Sequence, residues 1–196
     1  AVNGEAFPCD IGRFNDDIFV YIAAFGLFTD VSYQTRQEMK NVLGHLAYLL
    51  EGVTRLFDIP SYHIKVTHDG ETIEDEFVFG MVTNSRSVGG FRNMIGKSVI
   101  FDDGEFEVTL IKTPKNPIAL QEIVAALLGG QVDSKHMYAF RTGRIQFESL
   151  EEIPWTLDGE FGGQHDFVDI ENCNKALEIM VPEGMSTELS VKGVKK

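Results

Sequence analysis

A mainly β chain, folded as a two-layer antiparallel β-sandwich with one long and one short helix, is the fold class this sequence predicts. Three observations lead there. Short runs rich in β-branched and aromatic residues recur along the chain. They are punctuated by Asp69-Gly70, Asp102-Asp103-Gly104, Thr142-Gly143 and Asp158-Gly159, the dipeptides that close hairpins. Only two stretches carry a three-to-four-residue apolar period. With 196 residues, 43% of them hydrophobic, the chain buries a sizeable core. Residues 1–182 are read as one domain, without internal repeat or low-complexity linker, and residues 183–196 as a flexible tail poor in apolar side chains.

The elements follow in order. Residues 18–25, Ile-Phe-Val-Tyr-Ile-Ala-Ala-Phe, are apolar throughout, as in a strand covered on both faces. Thr35 and Glu38 form a capping-box pair ahead of Met39, Val42, Leu43, Leu46, Leu50, Val53 and Phe57, which predicts the long helix. Residues 62–84 read as a hairpin about Asp69-Gly70. A second hairpin is expected from residues 97–101 and 105–112. Asn116-Pro117 is an N-cap and first-turn pair, and the short helix behind it stops at Gly129-Gly130. Strands at residues 137–141, 144–149, around Leu157 and at 176–181 complete the set.

Composition excludes several functions. A net charge of −13 argues against a nucleic-acid surface, which needs basic side chains to replace phosphate counterions, and against a polybasic membrane anchor. Cys9 and Cys173 are isolated, so neither a disulfide scaffold nor a zinc site is expected, and a reducing, cytoplasmic setting fits. His63 and His68, five apart in a strand, would face opposite ways. No run of about 18 apolar residues is present, which predicts a soluble protein. The start at Ala1 reads as a start within a longer protein, although methionine removal before alanine would look the same.

The chemistry concentrates in Pro154-Trp155-Thr156-Leu157-Asp158-Gly159-Glu160-Phe161-Gly162-Gly163. Glu160 is the candidate acid or base, and Asp158 either orients it or shapes the turn. From local sequence alone, an exposed hairpin turn explains the segment equally well. With Asn15, residues 19–26, Phe28-Thr29-Asp30-Val31-Ser32-Tyr33, the run Lys40 to Tyr48, Asn84-Ser85-Arg86-Ser87-Val88-Gly89-Gly90-Phe91 and Asp102-Asp103-Gly104-Glu105-Phe106, it resembles the superfamily of diacylglycerol kinases, sphingosine kinases and bacterial soluble lipid kinases. The likeness spans about residues 10–182 and covers only the carboxy-terminal, lipid-binding half of such enzymes. Their Gly-Gly-Asp-Gly-Thr nucleotide segment is missing here. A Walker-like stretch at residues 90–98 has one residue too many between its glycines and runs into a strand, so it is read as chance.

The resemblance implies an ATP- and Mg²⁺-dependent kinase that phosphorylates a lipid hydroxyl, with Glu160 as general base, and implies that this chain alone is inactive. It further implies a structural Mg²⁺ or Ca²⁺ held by Asp103 with the carbonyls of Ile100 and Glu105, hard oxygen ligands suited to such ions. Arg86, Arg92 and Lys97 form a basic stretch with no acid among residues 84–97, a candidate contact for lipid phosphate or membrane. The partners expected are a lipid alcohol such as diacylglycerol, the membrane surface in transient, peripheral association, and an amino-terminal kinase domain; a homodimer stays open. Two alternatives remain at this point: a stand-alone lipid-binding or regulatory module, and a kinase for a sphingoid base or NAD.

Overall fold

The computed structural model describes residues 4–27, 60–86, 99–129 and 135–190. The long helix expected over residues 35–57 lies outside them. Among the described residues, nine strands and two helices follow one another: β1 Gly4–Phe14, β2 Asp17–Phe19, β3 Ile22–Gly26, β4 Tyr62–His68, β5 Glu71–Thr83, β6 Phe106–Lys112, α1 Pro117–Gly129, β7 Met137–Thr142, β8 Arg144–Leu157, β9 Glu160–Pro182 and α2 Met185–Ser190. No helix among the described residues is long and apolar enough to cross a membrane.

All pairings are antiparallel, in the order β2-β1-β9-β8-β3-β5-β6-β7. β3 and β4 lie end to end between the two long strands β5 and β8, because each pairs with a different stretch of both. The sheet folds over, so that Phe19 of β2 meets Phe106 of β6 with ring centroids 5.5 Å apart, although the two strands stand near opposite ends of the strand order. The sandwich interior so formed holds Phe14, Phe25, Phe77, Phe147 and Trp155. Edge-to-face contacts order the rings, with Trp155 at 4.8 Å from Phe25 and 5.1 Å from Phe14. The outer face of β3, β5 and β6 is covered by Ile123, Ala126 and Leu127 of α1, which pack with Val78, Phe79 and Met81.

Local chemistry explains the elements that were anticipated. Asp69 and Gly70 both take positive φ, 48° and 82°, the pair of left-handed residues that a two-residue hairpin requires. The Asn116 side chain accepts the Ala119 amide at 2.8 Å and so caps α1. His63 is exposed beside Glu74, while His68 is buried and stacked 3.8 Å over Phe140.

Three expectations are corrected, and one strand carried no signal in the sequence: the glycine- and proline-marked start of the chain is β1. Pro8 is tolerated there because, among the described residues, the second strand beside β1 is β2, which reaches only Gly12 to Phe14 and leaves Pro8 without a ladder on that side. The single strand of residues 18–25 divides into β2 and β3, since the amides at the junction bond a side chain from β8–β9 instead of a neighbouring strand. No second hairpin forms: β6 pairs with β5 and β7, while Val99 and Ile100 are buried outside any strand. Finally, part of the expected tail is helical. The Glu5 carboxylate accepts the amides of Gly184 and Ser186, both at 3.0 Å, at the start of α2, which fits the affinity of helix N-termini for anions.

Candidate functional site

β8 and β9 are joined by the two residues Asp158 and Gly159, with φ of 52° and 94°. The turn sets Glu160 opposite Leu157 as the first pair of the ladder, with its side chain exposed. Asp158 does not share its direction. Its carboxylate accepts the successive amides of Val20, Tyr21 and Ile22 at 2.8, 2.8 and 2.9 Å, and its own amide donates to the Ile22 carbonyl at 2.8 Å. Three converging N–H groups make an anion-binding nest, so Asp158 fastens the turn to the β2–β3 junction. That assigns it the turn-shaping role and fixes the backbone beside Glu160.

An open groove of about 370 Å³ runs past Glu160, lined by Asp17, Ile18, Leu157, Phe161, Gly162, Gly163 and His165. The His165 ring donates from Nε2 to the Gly162 carbonyl at 2.9 Å and packs edge-on against Phe14 at 5.3 Å. Asp17, Ile18 and His165 were not singled out from the sequence, and Phe161 entered only as a neighbour within the motif. They reach the groove from β2 and β9, and only the motif neighbours of Glu160 carried a signal.

The Asp103 loop lies elsewhere. The Asp103 carboxylate bonds the Arg141 guanidinium of β7 and accepts the Glu105 amide at 3.3 Å. Arg141 also faces Glu105 at 3.0 Å and Glu107 at 3.3 Å. Glu107 is only 4% exposed, and burial pushes its carboxyl up to about 7 against the opposing pull of Arg141. The loop is held from below by the fully buried Asp10, whose carboxylate accepts the Gly104 amide at 2.7 Å. Among the described residues, no three His, Cys, Asp or Glu side chains gather as a metal site. A cation here would therefore rely on backbone carbonyls beside Asp103. Asp103 and Glu105 before one guanidinium leave the loop with a net negative charge.

Of the basic stretch, Arg86 is described. Its guanidinium donates to the carbonyls of Val99 and Leu189, both at 3.4 Å, and lies 5.2 Å over the Phe101 ring. Arg92 and Lys97 lie outside the described residues, as does the Walker-like stretch 90–98. The structure thus keeps Glu160 with Asp158 and sets Asp103 apart on another loop.

Residues 24–181 match the family described as the YegS C-terminal NAD kinase beta sandwich-like domain. The chain belongs to this family. The match takes in β3 to β9, hence Asp158, Glu160 and the Asp103 loop, while β1 and β2 precede it. Relatives of this YegS C-terminal domain include the diacylglycerol kinase of Bacillus subtilis strain 168. It is 29% identical over 190 residues, covering 96% of this chain and 61% of the relative. The diacylglycerol kinase of Staphylococcus carnosus strain TM300 is 25% identical over 189 residues, with 96% and 61% covered. The crystal structure of a diacylglycerol kinase from Bacillus anthracis str. Sterne shares the fold with a TM-score of 0.66 at 24% identity, covering 92% of this chain and 59% of that one. The chain therefore spans about three-fifths of the length of these relatives.

Proposed function

We propose that this chain is the lipid-substrate domain of an ATP-dependent lipid kinase, in which Glu160 accepts the proton of the lipid hydroxyl. The observation that carries the reading is the placement of Glu160: an exposed carboxylate at the head of β9, in an open groove, on a turn fastened by three backbone amides. The relatives named diacylglycerol kinases give the substrate class. A primary alcohol is a weak nucleophile. As its oxygen attacks the γ-phosphorus and ADP leaves, the proton passes to the Glu160 carboxylate. Magnesium, held mainly by the nucleotide-binding domain, would neutralise charge on the phosphates. Asp158 keeps the turn in place through the transfer.

The test is transfer of labelled γ-phosphate from ATP to diacylglycerol. The chain joined to an amino-terminal nucleotide-binding domain is expected to label the lipid, and the 196-residue chain alone is expected to be inert. Equal labelling by the isolated chain, or labelling of NAD or a sphingoid base in place of diacylglycerol, would refute the reading. The setting proposed is cytoplasmic and peripheral at the membrane, with Arg86, Arg92 and Lys97 as candidate contacts for lipid phosphate.

We also propose that Asp103, with the carbonyls of Ile100 and Glu105, holds a structural Mg²⁺ or Ca²⁺. The anionic loop and the hard oxygen donors support this. Millimolar Mg²⁺ or Ca²⁺ is expected to raise the thermal midpoint of the chain, and Asp103→Ala to abolish the rise. A mutant that still responds would place the ion elsewhere.

A further inference from the structure

Two residues on the groove walls beside Glu160 are apolar yet open to solvent: Phe161 is 73% and Ile18 64% exposed. They come from different strands, β9 and β2, and the Asp158 bonds to the β2–β3 junction tie the two strands together at this point. Among the described residues, the ionisable carboxylates lining the groove are Asp17 and Glu160, and neither lysine nor arginine lines it. His165 is locked between the Gly162 carbonyl and Phe14, so that wall is formed in advance of any ligand.

If the hydroxyl to be phosphorylated lies within hydrogen-bond reach of Glu160, the first carbons behind it fall on this groove. We propose that the groove is the neck site for an uncharged acylglycerol-type alcohol, with Phe161 and Ile18 clamping the start of the hydrocarbon and Asp17 with Glu160 rejecting anionic lipids. This rests on the kinase reading and adds a selection rule to it. The substrate is neutral and enters; the product carries a phosphate between two carboxylates and is expelled. Exposed apolar side chains flanked by acidic groups fit a neutral amphiphile and oppose an anionic one, since like charges within a few ångströms repel even in water.

The probe is an F161W variant of the 196-residue chain, which places an indole on the groove wall while the natural Trp155 is buried and reports that the core is intact. Phosphatidylcholine vesicles containing diacylglycerol are expected to shift the emission of the introduced indole to the blue. The same vesicles with phosphatidic acid are expected to do so at least about tenfold less effectively, a margin that two nearby carboxylates readily supply. An I18W variant serves equally should F161W fold poorly. Phe161→Ser, followed by vesicle flotation, is expected to lower apparent affinity about tenfold, the scale of one lost apolar contact of this size. Asp17→Asn is expected to narrow the preference for diacylglycerol over phosphatidic acid.

An equal response to vesicles of phosphatidylcholine alone, or to phosphatidic acid, would overturn the proposal. So would no shift at all, or a shift that follows protein concentration without lipid, which would mean that a second copy covers the face. Failure here is separable from failure of the kinase reading. Lipid selection by the groove with full turnover after Glu160→Gln would discard only the base, whereas loss of turnover without lipid selection would discard only the groove.

Discussion

Glu160→Gln, in the chain joined to its nucleotide-binding domain, is expected to lower kcat by about 10²–10⁴-fold, the contribution of a positioned general base. Glutamine keeps the size of the side chain and its hydrogen-bonding capacity, but its amide cannot take up the hydroxyl proton. KM for the lipid is expected to change little, because the lost interaction belongs to the transition state more than to the bound substrate. Asp158→Asn is expected to cost less and in another way. Its NH₂ takes the place of one oxygen and loses either the Val20 bond or those of Tyr21 and Ile22, which loosens the turn, so the thermal midpoint falls together with kcat. Steady-state kinetics and melting curves on the two variants separate chemistry from positioning. A near-normal kcat for Glu160→Gln would return the turn to a structural role.

The largest expected effect on stability belongs to Asp10. Opposite it the β1–β9 ladder slips, from Cys9 against Leu177 to Ile11 against Cys173, and Lys175 in the slip takes a φ of 56°. The Asp10 carboxylate fills this bulge. One oxygen accepts the Lys175 amide at 2.7 Å and the Asn174 side-chain amide at 2.9 Å; the other accepts the Gly104 amide at 2.7 Å and Asn172 at 3.3 Å. Asp10 is fully buried, so Asp10→Ala removes the shared acceptor of four donors, of which Asn174 alone keeps another, the Asp102 carbonyl at 3.2 Å. With about 1–3 kcal/mol for each buried group left unmet, a loss of at least about 3 kcal/mol is expected. In a domain of this size that is roughly 10 °C in thermal midpoint. Urea unfolding checks it, and a loss under about 1 kcal/mol would show that the bulge and the Gly104 loop are held by other contacts.

What was legible in the sequence is what is decided within a few residues. The Asp69-Gly70 hairpin, the Asn116 cap of α1 and the Asp158-Gly159 turn each depend on side chains next to the backbone they shape. The candidate base could be found for the same reason: Glu160 sits inside one short motif. The parts that escaped are settled across the chain. The break at Val20 and Tyr21 is imposed by Asp158, well over a hundred residues later. The loop that replaces the second hairpin is captured by Asp10, which takes the Gly104 amide with its carboxylate and donates its own amide to the Phe101 carbonyl at 2.7 Å. Neither partner leaves a local trace. The groove walls escaped likewise, because an exposed Ile18 and Phe161 look like strand residues until the pairing shows which face they occupy.

The register of β1 on β9 has a consequence of reach. Gly4 lies opposite Pro182, whereas Phe14, at the other end of β1, leads through a tight turn to the Asp17 and Ile18 that flank Glu160. Eleven strand residues extend about 36 Å. A polypeptide joined ahead of Gly4 therefore starts at the end of β1 opposite to the one that leads to the groove. A tethered peptide would have to double back along the sheet. A compact body of about 120 residues, the length left over in the Bacillus subtilis relative, is about 35 Å across, and so it spans that distance by its own width.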